Sequence, residues 1–187
     1  ANGEFADLAV GETRATEVVY QIDDGNGGTD TAVITYTVTG ENDPVTPVIP
    51  GDPNPPADPS NYIPAQTGTD NAAVTSFNLT PYFMDADTND TITLSVNQAA
   101  LPSGLSFDAA TGIISGTPDA DASQNAVNGI YTIPVTATDG NGSTFTTNVI
   151  YTISNPAPTA QNDAISGTES DTAAAFDVLA NNGSGLD

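Results

Sequence analysis

Asp85 and Asp87 stand two apart in the run Asp85-Ala86-Asp87-Thr88-Asn89-Asp90. On a turn, that spacing lets both carboxylates face one ion. Calcium takes six to eight oxygen ligands at about 2.3–2.6 Å, from carboxylates and carbonyls. The composition leads to the same chemistry by subtraction. The chain of 187 residues has 24 Asp and Glu against one basic residue, Arg14, for a formal charge of −23. It has no Lys, His, Cys or Trp. Thiolate and imidazole metal sites are therefore excluded, and the usual general base near neutral pH is missing. Ser residues have no His to activate them. Paired carboxylates can hydrolyse glycosides, but nothing places two of them in an apolar cleft that would separate their pKa values. The chain is not expected to be an enzyme.

A charge of −23 repels itself in the folded state. Bound Ca2+ would offset it, and adaptation to salty water is a compatible reading. One Arg and no Lys leave no phosphate-tracking surface, so nucleic acid is excluded as a partner. The same charge repels an anionic membrane. No stretch approaches the ~20 apolar residues of a membrane span, so direct membrane insertion is not expected. No Cys means no disulfide framework. The sequence opens on Ala1-Asn2-Gly3 without a signal peptide, and reads as a piece of something longer.

The elements that must position these acids are strands. Ala32, Ile34, Tyr36 and Val38 alternate with Thr31, Val33, Thr35 and Thr37. Ile92, Leu94 and Val96 alternate with Thr91, Thr93 and Ser95. Tyr131, Ile133, Val135 and Ala137 alternate with Thr132, Pro134, Thr136 and Thr138. Phe145, Thr147, Val149, Tyr151 and Ile153 continue the pattern, broken only by Ile150. Period two gives an inward apolar face and a Thr-rich outer face. No stretch has helical periodicity. Short strands between Gly, Pro, Asn and Asp clusters predict a β-sandwich.

The sequence also repeats itself. Residues 24–38 and 139–153 share eight of fifteen positions at a constant offset of 115, opening on Asp-Gly-Asn-Gly in both copies. Each copy joins two strands, so Asp24, Gly25, Asn26 and Gly27, and likewise Asp139, Gly140, Asn141 and Gly142, are predicted hairpin turns. Two copies imply two related domains closing with the same hairpin. Between them, residues 44–60 hold Pro44, Pro47, Pro50, Pro53, Pro55, Pro56 and Pro59. Proline this dense is expected to form an extended, semi-rigid linker. Strands are expected near 62–67, 74–79, 91–97, 105–107, 112–115, 130–138 and 144–153, which is one complete sandwich. Residues 1–42 hold two or three strands and residues 156–187 about two, too few to bury a core alone.

Four ordered motifs carry a family resemblance. They are Asp85-Ala86-Asp87-Thr88-Asn89-Asp90-Thr91-Ile92-Thr93-Leu94, then Leu101-Pro102-Ser103-Gly104-Leu105-Ser106-Phe107-Asp108, then Thr111-Gly112-Ile113-Ile114-Ser115-Gly116-Thr117-Pro118, then Val135-Thr136-Ala137-Thr138-Asp139-Gly140-Asn141-Gly142. With them, residues 61–154 resemble a dystroglycan-type cadherin-like domain. Residues 1–43 resemble the C-terminal strands of a VCBS repeat, through Phe5-Ala6-Asp7-Leu8-Ala9-Val10-Gly11-Glu12-Thr13 and the exit Gly40-Glu41-Asn42-Asp43-Pro44. Residues 155–187 look like the N-terminal strands of a further cadherin-like repeat, through Gln161-Asn162-Asp163, Thr168-Glu169 and Val178-Leu179-Ala180-Asn181-Asn182. Such modules are strung together in large bacterial surface adhesins.

The resemblance implies an all-β fold, an Ig-like or cadherin-like Greek-key β-sandwich, with surface exposure and calcium-stiffened joints. It groups Asp85, Asp87 and Asp139 at one end of the sandwich and adds Glu41, Asn42 and Asp43 as junction ligands, if the chain loops back to deliver them. It suggests a second junction of Asp119 or Asp121 with Asn155, Asp163 and Glu169. Asp and Asn also cap turns through their own backbone. For Asp24 and Asp139 that reading and the calcium reading both stand, while Asp85 with Asp87 favours calcium.

Three functions are open at this point. The first is a calcium-bound extender in a secreted or cell-surface repeat protein, with neighbouring domains as partners. The second is a filament subunit, in which one copy's C-terminal strands complete the sandwich begun by another copy's N-terminal strands. The third is a module for cell-surface or matrix polysaccharide, which would need Tyr62, Phe77, Tyr82, Phe83, Phe107, Tyr131, Phe145 or Tyr151 exposed rather than in the core.

Overall fold

β-branched residues alternating with small polar ones give strands and turns and little else. A computed structural model describes residues 5–52 and 54–158. In chain order, its strands are β1 (Thr13–Asp23), β2 (Thr29–Thr39), β3 (Thr46–Pro47), β4 (Gln66–Thr69), β5 (Phe77–Asn78), β6 (Phe83–Met84), β7 (Thr93–Val96), β8 (Leu105–Asp108), β9 (Ile113–Gly116), β10 (Ile130–Thr138) and β11 (Thr144–Ser154). The helical content among the described residues is three 3-10 turns at Thr80–Tyr82, Gln98–Ala100 and Val127–Gly129.

Two sheets make the sandwich. One has the order β4-β11-β10-β7 and the other β5-β9-β8. Both are antiparallel except that β4 runs parallel to β11, Tyr151 opposite Gln66 and Ser154 opposite Thr69. The alternation read in the sequence sets which faces meet. Ile133, Val135 and Ala137 of β10 are fully buried, as are Val149 and, within 2%, Tyr151 and Ile153 of β11. Opposite them lie Ile114 of β9, Leu105 of β8 and Leu79, in one cluster with Phe83 and Leu94. Ile150 falls on the other face of β11, opposite Thr132, which is why it broke the pattern.

The Pro-rich stretch is joined to the sandwich at its start. β3 pairs with β6, Thr46 opposite Met84 and Pro47 opposite Phe83. Val45 is 3% exposed in the main core, and the Val48 N–H donates to the Tyr82 carbonyl at 3.0 Å. Pro47 is tolerated there because a two-residue edge strand does not need every N–H. The extended-linker expectation for residues 44–60 therefore meets paired backbone in its first residues.

β1 and β2 form a hairpin of their own, paired from Thr13↔Thr39 to Asp23↔Thr29. Every residue of β1 is exposed, Val19 at 67%, and Tyr36 of β2 is 65% exposed. Val18, Ile34 and Tyr36 thus lie on an apolar face that the described residues leave uncovered.

Candidate metal corner

Three segments converge at the end of the sandwich where β10 turns into β11. They are the β6–β7 loop (85–92), the β10–β11 turn (139–143) and the connection from β2 to β3 at Asn42 and Asp43.

Each acid there spends one oxygen on backbone. Asp139 Oδ1 accepts the N–H groups of Asn141 and Ser143 at 3.0 and 2.8 Å, which closes the turn. Asp85 Oδ1 accepts the N–H of Asp87 at 2.9 Å. Asp87 Oδ2 accepts the N–H of Asp43 at 3.0 Å. Asp90 Oδ1 accepts the N–H of Thr91 and, from the turn, of Gly140. The Asn42 amide reaches 97 residues along the chain to donate to Asp139 Oδ2 at 3.1 Å. One oxygen of Asp139 is thus engaged by its own turn and the other by Asn42.

The carboxylates also approach one another. Asp85, Asp90 and Asp139 each offer a carboxylate oxygen, all within 4.8 Å of one another. Asn42 Oδ1, Asp85 Oδ2 and Asp87 Oδ1 are buried without a hydrogen-bond partner. Asp87 and Asp139 are only 5% and 4% exposed. A buried polar atom without a partner costs about 1–3 kcal/mol, more when charged, so three in one corner call for a further partner. The only basic side chain of the sequence, Arg14, is engaged with Asp7 through two hydrogen bonds of 2.9 and 2.7 Å. That guanidinium holds the Asp7 carboxyl below its usual range.

The corner's charge shows in its titration. Burial pushes the Asp85 carboxyl above the usual carboxylate range, and the charges of Asp87, Asp90 and Asp139 push it further, against the N–H of Asp87. Burial also acts upward on Asp139, but hydrogen bonds from Asn42 and from the Ser143, Asn141 and Gly142 backbone outweigh it and hold the carboxyl below its usual range.

The structure brings together Asp85, Asp87, Asp139, Asn42 and Asp43, all named from the sequence. It adds Asp90, whose signal was its place at the end of the Asp85–Asp90 run. Glu41 is exposed and shares in none of the corner's hydrogen bonds described above. At the hairpin tip, Asp24 builds the same turn as Asp139, its Oδ1 accepting from Asn26 and Gly28 at 2.8 and 2.9 Å. Gly25, Gly27 and Gly142 take the positive φ these turns require, while Gly140 does not. Of the second grouping, Asp119, Asp121 and Asn155 are described. Asp119 accepts from the Ser103 hydroxyl, the Asp121 carbonyl accepts from Gln124 and Asn125, and Asn155 is exposed. Asp163 and Glu169 lie outside the described residues.

Comparison with known proteins gives a family and a set of folds. The signature of the He_PIG family, described as "Putative Ig domain", matches residues 58–154. No curated protein matches. Among solved structures, mouse cadherin-23 EC22-24 is 14% identical with a TM-score of 0.47, over 77% of this chain and 43% of that one. The protocadherin gammaB4 extracellular domain is 20% identical with a TM-score of 0.49, over 75% and 20%. A putative alpha-galactosidase from Bacteroides fragilis is 21% identical with a TM-score of 0.35, over 51% and 16%. The chain thus spans less than half the length of each of these three structures.

Proposed function

From the premise that this chain belongs to the He_PIG family of Ig-type domains, we propose that it is an extracellular calcium-bound extender module rather than a catalyst. The observation that carries this reading is the set of unpartnered buried oxygens on Asn42, Asp85 and Asp87 beside the Asp85, Asp90 and Asp139 carboxylates. An all-oxygen donor set of this charge suits a hard cation, calcium above all. The ligands come from both sides of a joint. Asn42 and Asp43 connect the β1–β2 hairpin to the sandwich, while the acids belong to the sandwich itself. An ion bridging them would fix the direction in which the hairpin leaves and would neutralise acids that otherwise repel.

The polysaccharide reading has no such support. On the sandwich, Tyr62, Phe77, Tyr82, Phe107, Tyr131 and Phe145 are half-buried against the core, and Phe83 and Tyr151 lie within it.

The test is a thermal melt of the whole chain with calcium and with excess chelator. Binding to the folded state alone stabilises by about 2.7 kcal/mol at one hundred times the dissociation constant. For a chain of this length that raises the midpoint by roughly 5–10 °C. Loss of the shift in Asp85→Asn/Asp139→Asn would support the site. Coincident melts with and without calcium would end the reading.

A further inference from the structure

A fourth segment reaches the metal corner, from ahead of β1. Residues 5–12 fold as two turns. The Leu8 N–H donates to the Phe5 carbonyl at 3.3 Å, and the Glu12 N–H to the Ala9 carbonyl at 2.9 Å. These turns are tied to the chain that leaves β2. The Gly40 N–H donates to the Glu12 carbonyl at 2.8 Å, and the Gly40 carbonyl accepts from Gly11 at 3.3 Å. A Cβ on Gly40 would run into the Leu8 and Ala9 carbonyl oxygens, so the approach needs glycine. Leu8 is 5% exposed. Asn42 and Asp43 come directly after Gly40 and Glu41, so the entry turns and these corner residues form one local structure.

From this structure Asp7 reaches the β6–β7 loop. Its carbonyl accepts the Thr88 N–H at 3.0 Å. Its carboxylate is gripped by Arg14 through both oxygens, at 2.9 and 2.7 Å. A two-point Arg–carboxylate pair fixes direction as well as distance. After Arg14, the Thr88 side chain also helps to hold that carboxyl below its usual range. Arg14 in turn lies over the Phe5 ring, 5.9 Å from its centroid.

Thr88 couples two acids of the corner. Before it stands Asp87, whose Oδ1 is buried without a partner. After it stands Asn89, whose φ of 70° is left-handed and turns the chain back on itself. The Asp90 N–H then reaches the Asp87 carbonyl at 3.3 Å, and the Asp90 carboxylate meets Gly140. Asp43 pins Asp87, and Gly140 with Asn141 pins Asp90. Asp7 supplies the tie on the residue between them.

We propose that Asp7, oriented by Arg14, is a positioning residue for the metal corner: it holds Thr88 so that Asp87 and Asp90 stay placed for one ion. This rests on the calcium reading above. An exposed ion pair alone adds little to stability. Here the two-point grip and the backbone bond fix one residue of a tight turn, so their effect falls on the ligand positions. Neither Asp7 nor Arg14 touches the ion. By linkage the effect is mutual: an ion that orders the loop also strengthens the hold on Thr88.

Arg14→Gln separates positioning from charge, because the two predict opposite signs. Removing the only basic side chain makes the protein more negative, so the field alone would tighten calcium binding. Loss of the hold on Thr88 weakens it. Calorimetry on the whole chain should show calcium binding about three- to fivefold weaker in Arg14→Gln. It should be as weak in Asp7→Asn/Arg14→Gln, which keeps the net charge at −23. Hydrogen exchange should show the Thr88 amide slowed by calcium in the parent chain and faster in both variants. Unchanged or tighter binding in Arg14→Gln would overturn the proposal and leave the calcium reading standing. So would a Thr88 amide that exchanges at the parent's rate in the variants. A parent chain that binds no calcium would overturn both.

Discussion

Asp90 accepts the backbone N–H of Gly140 at 2.9 Å and the side-chain amide of Asn141 at 3.2 Å, tying the β6–β7 loop to the β10–β11 turn across about fifty residues of chain. A Cβ on Gly140 would stand 2.0 Å from Asp90 Oδ1. The glycine is there for close approach rather than for backbone freedom. Gly140→Ala is expected to push Asp90 out of the corner. Calorimetry should then show weaker calcium binding, and denaturant unfolding in chelator a loss of about 1 kcal/mol for the broken hydrogen bonds.

Asp85→Asn should have opposite effects in the two states. Burial and its acidic neighbours make the ionised Asp85 unfavourable in the metal-free fold. The neutral amide should therefore raise the melting midpoint in chelator while abolishing most of the calcium shift. A midpoint that falls in chelator would mean that the Asp85 charge is satisfied without an ion.

The pH dependence follows from the same directions. Asp85 titrates higher folded than unfolded, so acidification from neutrality relieves its cost, and stability rises until the ordinary value near 3.8 is reached. Asp139 titrates lower folded than unfolded, so its contribution is present above that value and is lost as pH falls below it. In chelator the midpoint should rise as the pH is lowered from neutrality towards 3.8. With calcium it should fall over the same interval, because protons then compete with the ion.

Asn42→Ala removes the bond to Asp139 and one unpartnered oxygen without touching an acid. It should weaken calcium binding roughly tenfold, the effect of about 1.4 kcal/mol. Scattering should show a wider range of hairpin directions in the calcium-bound protein.

The repeat supplies a matched pair of tyrosines. Tyr151 is 1% exposed and Tyr36 is 65% exposed, at equivalent positions. Tyr151→Ala should cost about 3–5 kcal/mol in denaturant unfolding, and Tyr36→Ala within about 0.5 kcal/mol in the monomer. The Tyr151 hydroxyl is buried without a partner, and burial pushes its pKa up to about 12. Tyr151→Phe should therefore be neutral or stabilising.

Strands with strict alternation were legible in the sequence almost to the residue. β10 and β11 fall where period two put them, because one face meets a core and the other meets water. Strands set by their neighbours were less so: β4 sits at Gln66–Thr69 rather than near 62–67, since its place is fixed by Tyr151–Ser154. β3 was invisible, because proline density says nothing about a two-residue pairing held by a buried Val45. The corner was half legible. The spacing of Asp85 and Asp87 marks a turn that can hold an ion, but Asp90 enters only because Gly140 admits it, and that relation is not local in sequence.

The parallel placement of β4 beside β11 also determines how the sandwich bears tension. β4 is its first sheet strand after the Pro-rich stretch and β11 its last, and they run side by side through four residue pairs. Once the short pairing of β3 with β6 has given way, a pull on the chain at both ends drags these strands past each other along their length. The hydrogen bonds between them must then fail together in shear, rather than one after another as in a hairpin that unzips. Resistance to forced unfolding depends on the rate of that rupture and not on equilibrium stability, so the sandwich can hold against a pull even where the folded state is only marginally favoured.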